Sequence, residues 1–141
     1  MRELQEHEAP INRWGKPPGD IGAWYIAEAK SWCAKSEGTI LVAEGGEGLL
    51  GYACHLNKCE EEGTDGDIAY FYAFVADLVV TRQARGQGIG RALLAACENM
   101  ARVAERKVLR IGVLARNESA LRVYLNFGFA PHHLKLEKIL E

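Results

Sequence analysis

Hydrophobic residues along the chain recur at two spacings, one typical of helices and one typical of strands. After a Pro/Gly-rich loop at 15–19, Asp20 is a helix-capping residue and Gly38 a stop signal. Between them, apolar residues at helical spacing predict a helix over about 21–36. Two further amphipathic runs predict helices over about 89–105 and over the ten residues that follow Asn117 and stop at Gly128.

Five other segments have the composition of strands. "TILVAE" and "LLGYACHL" form a predicted hairpin around the turn "GGEG", and residues 57–67 after it read as a polar, acidic loop. The aromatic and β-branched run "IAYFYAFVADLVV" predicts a long strand, and "VLRIGVL" another. The terminal "APHHLKLEKIL" partly alternates and predicts a last strand.

The order of these elements predicts the fold class. A helix precedes an antiparallel hairpin, a long strand, a helix, a strand, a helix and a strand. The strand–helix–strand unit from 70 to 114 should be a right-handed parallel crossover. We therefore expect one α/β domain over residues 1–141, with a mixed, mostly antiparallel sheet and helices on both of its faces.

Composition narrows the protein class. The chain has 141 residues, which suits one domain, and no apolar run approaches the ~20 residues of a membrane span. The acidic, polar N-terminus does not resemble a signal peptide, and the four cysteines form no CxxC pair. We expect a cytoplasmic protein with reduced thiols, no membrane partner and no metal, since Cys54-His55 and His132-His133 lack a recognised ligand spacing.

Charge is distributed unevenly along the chain. Residues 1–77 carry a net charge of −8, residues 78–116 carry +6, and the remainder balances. This pattern is compatible with ordinary solvated faces, and it also suits a site with an anionic ligand near the basic third and a cationic ligand near the acidic half. A nucleic-acid-binding protein would show a larger positive charge with interleaved aromatic residues, so we expect no nucleic-acid partner.

The stretch "DLVVTRQARGQGIGRALLAACENM", residues 77–100, places three alternate glycines at the seam between a strand and a helix. The first N–H groups of a helix lack partners inside the helix, and glycines let a ligand approach the backbone closely. Arg85 and Arg91 flank the glycines and can add charge-assisted hydrogen bonds. The segment therefore predicts a cradle for a phosphate or pyrophosphate.

Two common phosphate motifs do not fit this segment. A dinucleotide-binding fingerprint needs a small residue at position 91, which is Arg91, and an acidic residue about 20 positions on. A P-loop needs a glycine where Pro10 stands, five residues before the only Gly-Lys pair, Gly15-Lys16. Neither motif explains the glycines.

The pattern R-x-x-G-x-G, from Arg85 to Gly90, resembles the coenzyme A pyrophosphate motif of the GNAT family of N-acetyltransferases. The resemblance covers about 38–141 and includes "ADLVV", "RGQGIGRALL", "VLRIGVLARNESALRVYLNFGF" and "LEKIL". It implies a GNAT-like fold and acetyl-CoA as cosubstrate. The cofactor-binding residues that it implies are Leu78, Val79 and Val80 for the pantetheine arm, and Arg85, Gly86, Gln87, Gly88, Ile89, Gly90 and Arg91 for the pyrophosphate.

The segment "NESALRVYLNFGF" carries the second part of the resemblance. The resemblance implies that Asn117 bonds the pantetheine arm and that Tyr124 lies beside the thioester sulfur. Seven residues are close to two helical turns, so these two side chains share a face and lie about 10 Å apart along the axis. Tyr124 is then the candidate general acid, which protonates the leaving thiolate.

The chain also departs from the family pattern. Many relatives have an acidic residue where this chain has Ala76. Asp77 follows it, but one step along a strand turns a side chain to the other face, so Asp77 is a weaker candidate for the base. Deprotonation through water to the acidic loop, or by other Glu or Tyr groups, is the alternative. The family's first strand is missing or very short here, which affects the acceptor pocket most.

These observations favour a single-domain N-acetyltransferase, in which a neutral primary amine attacks the thioester of acetyl-CoA directly. The acidic half of the chain favours a cationic acceptor, such as a polyamine, an aminoglycoside-like amine, or an amine of a peptide. The alternative is a non-catalytic acyl-CoA-binding or regulatory module with the same fold. The oligomeric state is open, with a homodimer as one option.

Overall fold

A computed structural model describes residues 23–46, 48–62 and 68–140 of the chain. The loop expected at 15–19, the capping residue Asp20, and the acidic residues Asp65 and Asp67 lie outside the described residues. The described elements, in chain order, are helix α1 (Ala23–Lys35), strands β1 (Thr39–Gly45), β2 (Gly48–Glu61) and β3 (Tyr70–Val80), a 3₁₀ turn (Arg82–Ala84), helix α2 (Ile89–Val103), strand β4 (Leu109–Ile111) and helix α3 (Glu118–Phe127).

The described strands form one sheet in the order β1-β2-β3-β4. The first three are antiparallel to their neighbours, and β4 is parallel to β3. The predicted mixed sheet with a parallel strand–helix–strand unit is therefore confirmed.

Helices cover both faces of the sheet. On one face, α2 packs Leu93 and Cys97 against Ala53 and Val75. On the other face, α1 packs Ala29 against Cys54 and Leu56. Because Ala53 and Cys54 are neighbours on one strand, the two clusters lie on opposite sides of the sheet. We call these the α2 face and the α1 face.

Three predicted boundaries differ from the structure. Residues 57–61 belong to β2 and not to a loop, because Glu60 and Glu61 pair with Phe71 and Tyr70 of β3. Strand β4 covers only Leu109–Ile111 of the predicted 108–114. The terminal strand prediction is wrong, since residues 130–140 are exposed and have no regular structure. Alternation alone does not make a strand when no neighbouring strand supplies hydrogen bonds.

Candidate functional site

The glycine-rich loop joins the end of β3 to the start of α2. Gly86 and Gly88 have positive φ angles of 74° and 81°, and Gly88 is the N-cap of α2 without a side-chain cap hydrogen bond. A Cβ atom added at either glycine would meet no atom within 4 Å. The loop thus presents open space at a helix N-terminus, where unpaired N–H groups favour an anion.

The two arginines that flank the glycines both contact other parts of the protein. Arg85 Nε donates a hydrogen bond to the Val80 carbonyl at 3.1 Å, which folds this side chain back onto the end of β3. The Arg91 guanidinium lies 5.7 Å from the centre of the Phe127 ring. Since Phe127 ends α3, this contact brings the glycine loop and α3 together.

The last part of β3 has a strand on one side only, as far as the described residues extend. Its pairing with β4 ends at Val75, opposite Ile111, whereas its pairing with β2 continues to Val80. The Thr81 N–H donates to the Leu50 carbonyl, so alternation directs the polar backbone groups of Leu78 and Val80 away from β2. These groups face the side of β3 on which pairing with β4 has ended, and we call this side the opening.

A β-bulge interrupts β3 next to this opening. Cys54 pairs with Asp77 and His55 with Val75, so Ala76 is one extra residue on β3. As a result, Ala76 packs on the α1 face and Asp77 also reaches α1. The expectation that Asp77 points to the face opposite Ala76 is therefore wrong, because the bulge cancels the alternation on which it was based.

Asp77 is a buried carboxylate, with only 8% of its surface exposed. The Tyr25 hydroxyl of α1 donates to its two oxygens, each at 2.8 Å. Burial raises the pKa of Asp77, and the hydrogen bond from Tyr25 partly opposes this rise. Burial and the nearby carboxylate raise the pKa of the Tyr25 and Tyr52 phenols far above their usual value. Both phenols therefore stay protonated at physiological pH.

The two candidate residues of α3 are both buried. The Asn117 side chain accepts hydrogen bonds from the Ala120 N–H at 3.3 Å and from the Ser119 hydroxyl at 3.2 Å, so it caps the helix that it precedes. The Tyr124 ring makes an edge contact with Phe129, with centroids 6.1 Å apart. The Gly128 N–H donates to the Tyr124 carbonyl and Gly128 has a positive φ angle, which confirms the predicted helix stop.

Sequence reasoning missed Tyr25 as part of this site. Tyr25 lies within the helix predicted over about 21–36 from its apolar spacing, and an aromatic residue in such a helix needs no further explanation. The hydrogen bond to Asp77 spans 52 positions in the chain, and the bulge that permits it has no local sequence signal.

A cleft of about 410 Å³ lies at the other end of α2, away from the glycine loop. Two of its three basic residues are engaged within the protein. Arg102 pairs with Glu98 at 2.5 Å, and Arg106 donates to the Asn57 carbonyl at 2.8 Å. We assign no role in the site to this cleft.

None of the helices in residues 23–46, 48–62 and 68–140 has the length and apolar character that crossing a membrane requires. In the same part of the chain, His, Cys, Asp and Glu side chains form no group of three or more that could hold a metal ion.

Comparison with known families matches the loop, the sheet and both flanking helices at once. A family model described as the acetyltransferase (GNAT) family matches residues 1–129. The chain belongs to the GNAT acetyltransferase family. Members of this family transfer an acetyl group from acetyl-CoA, which fits the coenzyme A resemblance of the glycine motif. No curated protein is significantly similar to the chain in sequence.

Solved structures that are similar to this chain also show the GNAT fold. A mutant of the BH1408 protein from Bacillus halodurans is 18% identical with a TM-score of 0.79, covering 99% of this chain and 87% of that one. A protein from Pyrococcus furiosus described as an acetyl transferase is 25% identical with a TM-score of 0.71, covering 99% of this chain and 91% of that one. The aminoglycoside N-acetyltransferase AAC(6')-Iy in complex with CoA is 13% identical with a TM-score of 0.66, covering 100% and 96%.

Proposed function

We propose that this GNAT protein is an N-acetyltransferase that moves the acetyl group of acetyl-CoA to a primary amine of a cationic acceptor. The observation that carries the proposal is the one-sided end of β3. There an open backbone edge leads into the glycine loop, and the bulge places the Asp77 carboxylate directly before that edge.

The described residues fit coenzyme A. The polar backbone groups of Leu78 and the N–H of Val80 point into the opening and suit the amides of a pantetheine arm. The Val80 carbonyl accepts from Arg85, and Val79 packs into the core. Positive-φ glycines with empty space around them suit a pyrophosphate, which the loop amides from Gly86 to Arg91, including Gln87, Ile89 and Gly90, would hold. Arg85, already fixed to the end of β3, would direct its remaining donors to the same phosphates.

The proposed chemistry is direct attack of the amine on the thioester carbonyl. Asp77 accepts the proton of the attacking nitrogen, an N–H of the β3 edge stabilises the charge on the carbonyl oxygen, and Tyr124 protonates the leaving thiolate. Asn117 would bond the pantetheine arm while its side chain also caps α3. The products are an N-acetylated acceptor and free coenzyme A. The protons balance when the proton taken by Asp77 passes through water to Tyr124, which restores the phenol and the carboxylate.

The acceptor is proposed to be cationic because acidic residues dominate the first half of the chain. Part of this charge is neutralised, since Glu61 forms an ion pair with Arg110, whereas Glu60 and Glu62 are exposed. A structural neighbour provides further support: AAC(6')-Iy has been solved with the bisubstrate analogue CoA-S-monomethyl-acetylneamine, at a TM-score of 0.70. Attraction of this kind is screened over about 8 Å at physiological ionic strength, so capture of the acceptor should weaken with salt.

The proposal is tested by free-thiol release from acetyl-CoA over a panel of amines. The panel contains polyamines, aminoglycosides, lysine peptides and an anionic amine as the matched contrast. We expect turnover with a cationic amine and a kcat/KM that falls as salt increases. A preference for the anionic amine would contradict the acceptor class.

Binding and turnover are separated by a parallel thermal shift assay. Acetyl-CoA at a hundredfold excess over its Kd should stabilise the fold by about 2.7 kcal/mol. Stabilisation without thiol release over the whole panel would favour the alternative, a non-catalytic acyl-CoA-binding module. Absence of both would refute the proposed function.

A further inference from the structure

The Tyr25–Asp77 hydrogen bond connects helix α1 to strand β3, and no other contact in the proposed chemistry involves α1. The single hydrogen of the Tyr25 hydroxyl is shared between the two carboxylate oxygens, each 2.8 Å away. A donor placed symmetrically between two acceptors fixes both the position and the rotation of the carboxylate. The contact is made possible by the bulge at Ala76, which turns Asp77 toward α1.

Tyr25 is itself held in place by aromatic neighbours on the same helix. Its ring makes edge contacts with Trp24 and Trp32, at centroid distances of 5.7 and 5.9 Å. Trp32 packs against the cluster of Ala29, Cys54 and Leu56 on the α1 face. The phenol is therefore anchored to the sheet through α1 and cannot move without disturbing that packing.

We infer that Tyr25 is a positioning residue, which orients Asp77 and stabilises its ionised form so that Asp77 can take the proton of the attacking amine. The inference rests on the proposed function and adds a residue from outside the motifs of the chain. Tyr25 acts through Asp77 and touches no reacting atom.

The surroundings of Asp77 explain why one hydrogen bond matters. Among the described residues, three titratable groups face it, Tyr25 from α1 and Tyr52 and Cys54 from β2. Burial raises the pKa of all three, that of Cys54 to about 12, so they are neutral at physiological pH. Burial also disfavours the charged form of Asp77, and the Tyr25 hydroxyl opposes this effect. Without that donor, the buried carboxyl holds its proton to a higher pH and becomes available as a base only above that pH.

The test is Tyr25→Phe, which keeps the ring and its aromatic contacts and removes only the hydroxyl. A hydrogen bond to a charged group is equivalent to about one to two pH units. We expect the acid limb of the kcat/KM profile to move up by this amount, while the KM for acetyl-CoA changes less than twofold. The acceptor amine is the same in both enzymes, so its own titration contributes equally to both profiles.

The matched control is Tyr72→Phe. Tyr72 lies on β3, the strand of Asp77, and the centre of its ring is 4.2 Å from the Arg110 guanidinium. Tyr72→Phe therefore also removes a hydroxyl but leaves Asp77 untouched. Its acid limb should coincide with that of the wild type. In an Asp77→Asn background, Tyr25→Phe should cause no further loss of rate, because a residue that acts through Asp77 has nothing left to orient.

The pKa of the Asp77 carboxyl can also be measured by NMR, which does not depend on turnover. The measurement requires only that the wild type and Tyr25→Phe fold, and their melting curves show whether they do. A higher carboxyl pKa in Tyr25→Phe supports the inference. The inference would be overturned if the wild type acetylates an amine and Tyr25→Phe has the same pH profile and the same Asp77 carboxyl pKa as the wild type. That result would leave the proposed function standing. A wild type that binds acetyl-CoA but turns over no amine would overturn the proposed function, and with it the catalytic meaning of the contact.

Discussion

Replacing Gly88 by valine should separate the folding role of the glycine loop from its binding role. Gly88 caps α2 with a φ angle of 81°, and no atom lies within 4 Å of an added Cβ. The Cβ of valine therefore meets no clash there, and the expected cost is the strain of a β-branched residue in the left-handed region, about 2 kcal/mol. For a chain of 141 residues, this lowers the Tm by roughly 8 °C.

The effect on ligand binding should be larger than the strain. In the proposed site, phosphate oxygens occupy the space that a side chain at position 88 would fill. Wild-type protein should gain about 2.7 kcal/mol from acetyl-CoA at a hundred times its Kd, and Gly88→Val should lose this gain entirely. The strain lowers the Tm of the unliganded variant, whereas the lost contacts abolish its response to the ligand.

Gly48→Val is the matched control for this experiment. Gly48 also has a positive φ angle, 120°, and open space around its Cβ, but it opens β2 in the first hairpin. Both variants should melt earlier than the wild type in differential scanning fluorimetry, and only Gly48→Val should keep the shift with acetyl-CoA. A wild-type shift in Gly88→Val would show that the loop does not hold the pyrophosphate.

Three further outcomes are expected. Tyr124→Phe keeps the ring against Phe129, so it should lower kcat by about 10²–10⁴ with the KM for acetyl-CoA little changed, and a wild-type kcat where chemistry limits the rate would rule out Tyr124 as the acid. Gly51→Ala places a Cβ 2.5 Å from the Val79 carbonyl oxygen, so urea denaturation should show a loss of about 3 kcal/mol, and a loss below about 0.5 kcal/mol would contradict this register. Asp77→Asn should raise the stability at pH 7. Burial raises the pKa of Asp77 in the folded state, so the charged carboxylate destabilises the fold only above the unfolded pKa of 3.8. This loss of stability grows as the pH rises toward the folded pKa and is then constant. Equal stabilities of variant and wild type at both pH 4 and pH 7 would refute the burial of this charge.

The sequence predicted the local parts of this fold well. The helix before Gly128 was bounded on both sides, because Asn117 can cap a helix and a glycine at its end readily adopts a positive φ angle. The glycine loop was placed between a strand and a helix for a similar reason, since three alternate glycines fit neither element. Such signals lie within a few residues of the feature that they determine.

The parts that the sequence did not predict depend on distant partners. Leu134 and Leu136 alternate with polar residues as in a strand, yet both are exposed, because a strand also needs a neighbour to supply its hydrogen bonds. The polar end of β2 is a strand for the opposite reason, since β3 lies beside it. The bulge at Ala76 and the Tyr25–Asp77 contact are likewise set by the register between strands and by the docking of α1.

The bulge links these observations, because it determines where the Asp77 side chain and the backbone groups of the following residues point. It turns Asp77 toward α1, and after it the polar groups of Leu78 and Val80 face the opening next to the glycine loop. An asparagine at position 77 would accept the Tyr25 hydrogen bond without the cost of burying a charge, so the fold alone does not require a carboxylate there. A base does require one. Asp77→Asn should therefore bind acetyl-CoA as the wild type does, melt later, and lose turnover. A purely structural carboxylate would not produce this combination.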